Sequence, residues 1–113
     1  MSAIEECLKQ CWDCRHICQT TLFRHCLPIG GPHMEEPHVK AMVDCIQYCQ
    51  VAADFMTRES SFSEKACKLC ADICDACAKA CEKIGDEAME RCAEACRACA
   101  EACRNMGNRR QAA

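Results

Sequence analysis

The sequence predicts an all-α fold: one antiparallel, up-down-up-down four-helix bundle with a cysteine-lined core, spanning residues 1–113 as a single domain. Three observations predict it. Clusters of glycine, proline and serine cut the chain into four segments of about 20–25 residues. Those segments are rich in Ala, Glu, Lys, Arg and Gln and poor in β-branched residues, which favours helix. Cysteines recur along them at alternating steps of three and four, the period of one helix face.

The first segment, about 3–27, carries Cys7, Cys11, Cys14 and Cys18, with Cys26 near its end, eight residues past Cys18 and slightly off the stripe. Pro28, Gly30, Gly31 and Pro32 form the following loop. The second segment, about 34–58, has only Cys45 and Cys49, but its stripe continues as His38, Met42 and Met56. A polar run from Arg58 to Glu64 ends it, and Ser61 with Glu64 has the spacing of a capping box. The third, about 62–84, contains CKLCADICDACAKAC, whose Cys67, Cys70, Cys74, Cys77 and Cys81 fall within an arc of about 80°. Gly85 suits the position after a helix end and Asp86 can cap the next helix. The fourth, about 87–106, bears Cys92, Cys96, Cys99 and Cys103, with Met89 and Met106 extending the stripe at both ends. Gly107 and Asn108 stop it, and residues 107–113 read as a frayed tail. Short connections make neighbouring helices antiparallel, so the four stripes face one axis.

Composition narrows the function. Net charge is −3 with both signs interspersed, so no basic stripe awaits a nucleic acid. No apolar run has the length of a membrane span. The N-terminal MSAIEECLKQCWDC lacks the basic and apolar regions of a signal peptide, which makes a cytoplasmic location the expectation. Leu, Ile, Val and Phe together supply about 14% of the chain, below the roughly 20% usual for a folded domain. Cysteine, with 16 residues, must therefore supply much of the core.

Cysteine stripes of this kind have three explanations. A disulfide scaffold would exploit the even count, but residues three or four apart on one helix point the same way, and a reducing compartment opposes it. Cysteine used only as a small buried hydrophobe would bring an oxidation hazard that alanine or valine avoids. Metal ligation explains a thiol at every inward turn, because thiolate is a soft ligand for Cu(I), Zn(II) or iron–sulfur clusters.

Charge and geometry choose among the metals. Side chains at i, i+3 and i, i+4 lie about 5–6 Å apart at Cβ, so CxxC and CxxxC can each grip an ion. A two-coordinate Cu(I) needs sulfurs roughly 4.5 Å apart if Zn–S lengths are a guide. If every thiolate bridges two Cu(I), each ion replaces one proton and the buried core stays near neutral. About four tetrahedral Zn(II) on sixteen thiolates would leave roughly −8 in an apolar tube, a heavy desolvation cost. Ferredoxin-type clusters typically use loop cysteines followed by proline, which this continuous helical spacing lacks. Multiple Cu(I) ions per chain are the favoured cargo; a Zn(II)/Cd(II) thiolate buffer or metallothionein-like detoxifier is the alternative, and a cross-linked helical hairpin a third.

The CxxCxxxCxxCxxxC and CxxxCxxCxxxC helices resemble those of the bacterial four-helix-bundle copper storage proteins, over essentially the whole chain. The resemblance is specific in the cysteine stripes; the missing twin-arginine signal is similar to the cytosolic branch. It implies a homotetramer, each protomer filling its bore with many Cu(I) ions, and carries ligation onto Cys7, Cys11, Cys14, Cys18, Cys45, Cys49, Cys67, Cys70, Cys74, Cys77, Cys81, Cys92, Cys96, Cys99 and Cys103. A copper donor or acceptor protein is a candidate partner.

The bundle topology gathers His25, Cys26, His33, Met34, His38, Met42, Cys81 and Met89 at one end. Neutral His and Met ligands there could accept Cu(I) and pass it to the thiolates, so His25, His33, Met34, His38, Met42 and Met89, with Cys26, are the candidate loading port. His16 belongs on an outer face, and Phe55, Met56, Phe62 and Met106 would plug the opposite end. Ile4, Leu8 and Trp12 lie beside the first stripe, as bundle packing or as a subunit contact. No Ser/His/Asp arrangement, phosphate loop or carboxylate pair suggests an enzyme.

Overall fold

The structure, a computed structural model, describes residues 2–108. Four long helices account for most of it: α1 (Ala3–Thr21), α2 (Glu36–Thr57), α3 (Ser63–Ile84) and α4 (Glu87–Gly107). No strand occurs among the described residues. Each helix packs on its sequence neighbour and α4 closes on α1, giving the expected up-down-up-down square in a body of 46 × 23 × 20 Å. Of the expected tail, Gly107 is the last residue of α4, and residues 109–113 lie outside the described residues.

Local chemistry sets the helix ends. Ser2 accepts the Glu5 amide at 3.1 Å, and Glu5 and Glu6 place negative charge in the first turn. Gly85 takes φ 76°, the left-handed cap that glycine adopts without Cβ strain, and its N–H donates to the Cys81 carbonyl at 3.1 Å. Asp86 then caps α4 by accepting the Met89 amide at 2.9 Å. The Ser61–Glu64 capping box does not form. Phe62 precedes α3 and makes no side-chain cap, while the Ser63 hydroxyl donates to the carbonyls of Ser60 at 2.8 Å and Phe55 at 3.2 Å. That serine ties the α2–α3 turn together from inside, which displaces the helix start past the spacing motif.

The first helical stretch runs beyond its expected end at 27. After α1 comes one wide π turn, Leu22–Cys26, then a last turn, Leu27–Ile29, that contains Pro28. In a regular helix the Pro28 ring would press on the carbonyl four residues before it, at Arg24; a widened turn relieves that clash. Gly31–Met34 then forms a 3-10 turn, so α2 starts at Glu36, two residues after its expected start at 34.

α3 and α4 make the most extensive contact. Ala66, Ala71 and Ala78 on α3 and Ala93 and Ala100 on α4 are buried, which lets backbones approach. Arg97 pairs with Glu82 and Arg104 with Asp75 across this pair of helices. At its end a Cβ on Gly107 would fall 2.6 Å from the Lys68 Cγ and 3.3 Å from the Glu64 carbonyl oxygen.

All sixteen cysteines are free and 0% exposed, and beside them the largest fully buried side chains are Met42, Met89 and Met106. Leu22, Ile46, Met56, Ala52, Ala53 and Ala102 complete the buried apolar set, with Ile4 and Leu8 packed against it. Trp12 stands out from the bundle, and His16 is exposed as expected. The expected plug at the far end is made by Met56 and Met106 only. Phe62 is exposed and Phe55 is half-buried, with the Arg58 guanidinium 4.7 Å above its ring.

Candidate metal centre

Each helix turns one stripe of thiols to the axis, because steps of three and four keep side chains on one face. The structure brings these thiols into mutual contact across helices. Cys7 Sγ lies 3.6 Å from Cys103, Cys103 lies 3.8 Å from Cys11, and Cys11 lies 3.8 Å from Cys99. Cys99 meets Cys49 at 4.0 Å, Cys49 meets Cys74 at 3.8 Å, and Cys74 meets Cys45 at 3.8 Å. Cys45 faces Cys14 at 3.6 Å, Cys14 faces Cys96 at 3.8 Å, and Cys96 and Cys92 each stand 3.5 Å from Cys18. The result is an unbroken file of sulfurs along the bore.

The cysteine-poor helix α2 does not interrupt it. Cys45 and Cys49 sit at mid-length, where Cys45 touches Cys14, Cys18, Cys49 and Cys74 at once. Three groups of four sulfurs lie within 4.8 Å of one another: Cys11, Cys70, Cys99 and Cys103; Cys14, Cys49, Cys74 and Cys99; and Cys14, Cys18, Cys45 and Cys96. Cys7, Cys67 and Cys103 form a further trio at the far end. Cys77 and Cys81 lie fully buried further along the α3 stripe.

Sulfur spacings of 3.5–4.0 Å span the edge of a three- or four-sulfur cage, about 3.8–4.0 Å for metal–sulfur bonds near 2.3 Å. A linear pair needs about 4.6 Å by the same measure, within reach of small χ1 adjustments. The bore therefore offers both geometries to a soft ion. Burial makes an uncompensated thiolate costly throughout the bore. Burial, helped by Cys92 and Asp86, pushes the Cys26 thiol up to about 11. Hydrogen bonds to Cys14 and then Cys45 push Cys18 upward, and bonds to Cys103 and Cys11 do the same to Cys7.

The α1 stripe continues toward the mouth. Cys26 lies off the stripe if the helix is regular, but the π turn adds about one residue, so eight residues from Cys18 act as about seven, two helical turns. Cys26 is thereby fully buried, 3.5 Å from the Met89 Sδ and 3.7 Å from the His38 Nε2. Burial holds the His38 imidazole below its ordinary pKa, which favours the neutral ligand form. Met42 is buried nearby on the α2 stripe and Met34 is half-buried. His25 and His33 stand apart from this inner trio. Both present Nε2 to one Asp86 oxygen, at 3.0 and 2.5 Å. A groove of about 870 Å³, lined in part by Ile29, His33 and Ala80, reaches His38 of this trio. Asp86 is the residue that sequence reasoning placed only as a helix cap. Its distance from the two histidines in the chain, 61 and 53 residues, hid its second role.

Comparison with known proteins agrees with this architecture. The copper storage protein family model matches residues 1–108. An uncharacterized cysteine-rich protein of Bacillus subtilis, YhjQ, is 36% identical over 79 residues, 70% of this chain and 72% of that protein. The crystal structure of the Nmul_A1745 protein from Nitrosospira multiformis superposes with a TM-score of 0.88 at 43% identity, covering 93% of this chain and 94% of that one. Cu(I)-bound copper storage protein BsCsp3 superposes at 0.87 with 34% identity over 94% of this chain and 99% of that one. With a cysteine-filled bore on this fold and a family match over almost its whole length, the chain belongs to the copper storage protein family.

Proposed function

We propose that this chain stores Cu(I), many ions at a time, on the sixteen core cysteines from Cys7 to Cys103, as a sequestering protein and not an enzyme. The unbroken file of buried thiols carries the proposal, since a cargo ion can find the next pair of sulfurs within one side-chain rotation. The Cu(I) bound by BsCsp3, on a bundle of the same shape, supports it. Charge favours Cu(I) as well: one ion per displaced proton keeps the 0%-exposed bore near neutral.

Cys26, His38 and Met89, with Met42 behind them, form the inner port, and His25, His33 and Met34 its rim. Soft, neutral donors bind Cu(I) more weakly than a thiolate cage and so pass it inward. We propose further that the protein works in the cytoplasm as a homotetramer and exchanges copper with a donor or acceptor protein. No described helix is long and apolar enough to cross a membrane.

The groups of four sulfurs are the observation that favours Zn(II) or Cd(II) instead, because they match a tetrahedral thiolate site. Displacement separates the two. Reduced protein loaded with Zn(II) is challenged anaerobically with Cu(I), and free zinc is read with a dye. Copper storage requires stoichiometric release of zinc; zinc retained against excess Cu(I) makes the protein a zinc-type buffer.

A further inference from the structure

From the rim geometry we infer a second metal site, separate from the thiol bore, in which His25, His33 and Asp86 bind one borderline divalent cation such as Zn(II), Co(II) or Ni(II). The three ligand atoms come from three different segments: the π turn, the 3-10 turn and the cap of α4. They lie within 4.8 Å of one another, the separation that a single ion can bridge. Both imidazoles aim Nε2 at the same carboxylate oxygen, Oδ2.

The carboxylate is already oriented for the task. Its other oxygen, Oδ1, accepts the Met89 amide at 2.9 Å, which fixes the plane of the group and leaves Oδ2 toward the histidines. The His25 and His33 rings meet edge to face at 5.2 Å between centroids, so neither blocks the other's nitrogen. The π turn matters again here: the added residue turns His25 toward Asp86 as it turns Cys26 into the bore.

Donor chemistry sets the cation class. Two imidazoles and one carboxylate, half-buried with room for water, suit a borderline divalent ion. The hard oxygen is a poor partner for Cu(I), whose soft donors lie deeper at Cys26 and Met89. The rim thus retains a divalent ion where Cu(I) only passes inward, and a rim ion would tie together the three segments that surround the mouth.

Co(II) tests this on the reduced full chain after its thiols have been filled with Cu(I) and the bound copper counted on the same sample. One Co(II) per chain is expected, with ligand-field bands and no sulfur-to-cobalt charge-transfer band. His33→Ala and Asp86→Asn should each weaken it at least about tenfold, by analogy with losses from supporting residues at metal sites. Asn caps a helix as well as Asp, so Asp86→Asn keeps the fold, and circular dichroism checks it. His16→Ala, on the outer face, should leave Co(II) affinity unchanged. Absence of Co(II) binding, a sulfur charge-transfer band, or unchanged affinity in both rim variants would overturn the site and leave an ion-paired helix cap only. A low copper count would instead indict the storage proposal, and the charge-transfer band still reports which donors hold cobalt.

Discussion

The Cys26 thiol lies 3.5 Å from the Met89 thioether, at the point where the α1 stripe reaches the mouth. The two residues come from opposite ends of the chain's design: one from a distorted first helix, the other from the first turn of the last. Their contact, with His38 at 3.7 Å, makes a mixed S/S/N step between solvent and the thiolate cages.

If that step loads the bore, weakening it should slow loading and leave most of the capacity. Met89→Leu conserves volume and costs little stability, typically under about 1.5 kcal/mol. His38→Ala removes the imidazole. Both variants should take up Cu(I) several-fold more slowly in stopped-flow transfer from a chelator, with final capacity lower by about one ion. Unchanged rates in both would place the route elsewhere.

Cys45 touches four other thiols, so its loss should cost more than one ligand's share. Cys45→Ala is expected to lower Cu(I) capacity by about one to two ions by breaking cages on both sides of it. Removing a buried group of about methyl size should also lower stability by about 1 kcal/mol. Anaerobic denaturant unfolding and copper counting measure the two effects on one sample.

The cysteine faces were legible because helical period fixes them within each segment: steps of three and four can only make a stripe. Contacts between stripes were less legible, since they depend on axial register set by the connections. For that reason the continuity of the bore past Cys45 and Cys49 emerged only from the packing. The π turn has no compositional signature, so Cys26 read as slightly off the stripe. The Ser61–Glu64 motif failed because Ser63 found carbonyl partners in the preceding turn. Asp86 was legible as a cap from its place after Gly85, but its approach to His25 and His33 is a tertiary fact.

The reduced protein without metal should lose stability at alkaline pH. Burial raises Cys26 from 9.0 to about 11, so the folded state retains a proton that the unfolded state gives up between these values. The stabilisation is full below about pH 9 and is lost as pH rises toward about 11. Denaturant midpoints measured anaerobically across that window should fall, and Cys26→Ala should flatten part of the slope.

Gly85 holds the left-handed cap between α3 and α4, where a Cβ would also lie 3.3 Å from the Glu82 carbonyl oxygen. Gly85→Ala should destabilise the fold by about 1–2 kcal/mol. Copper capacity should stay the same, because Gly85 contributes no side chain to the bore. A chemical melt and a copper count distinguish this backbone effect from a ligand effect.

Cu(I) stoichiometry with simultaneous proton counting tests storage in the bore most directly. Anaerobic titration of the fully reduced chain against a coloured competing chelator should show roughly one tightly held Cu(I) per cysteine, with about one proton released per ion. Saturation at one ion per four thiols, or loading without proton release, would contradict it.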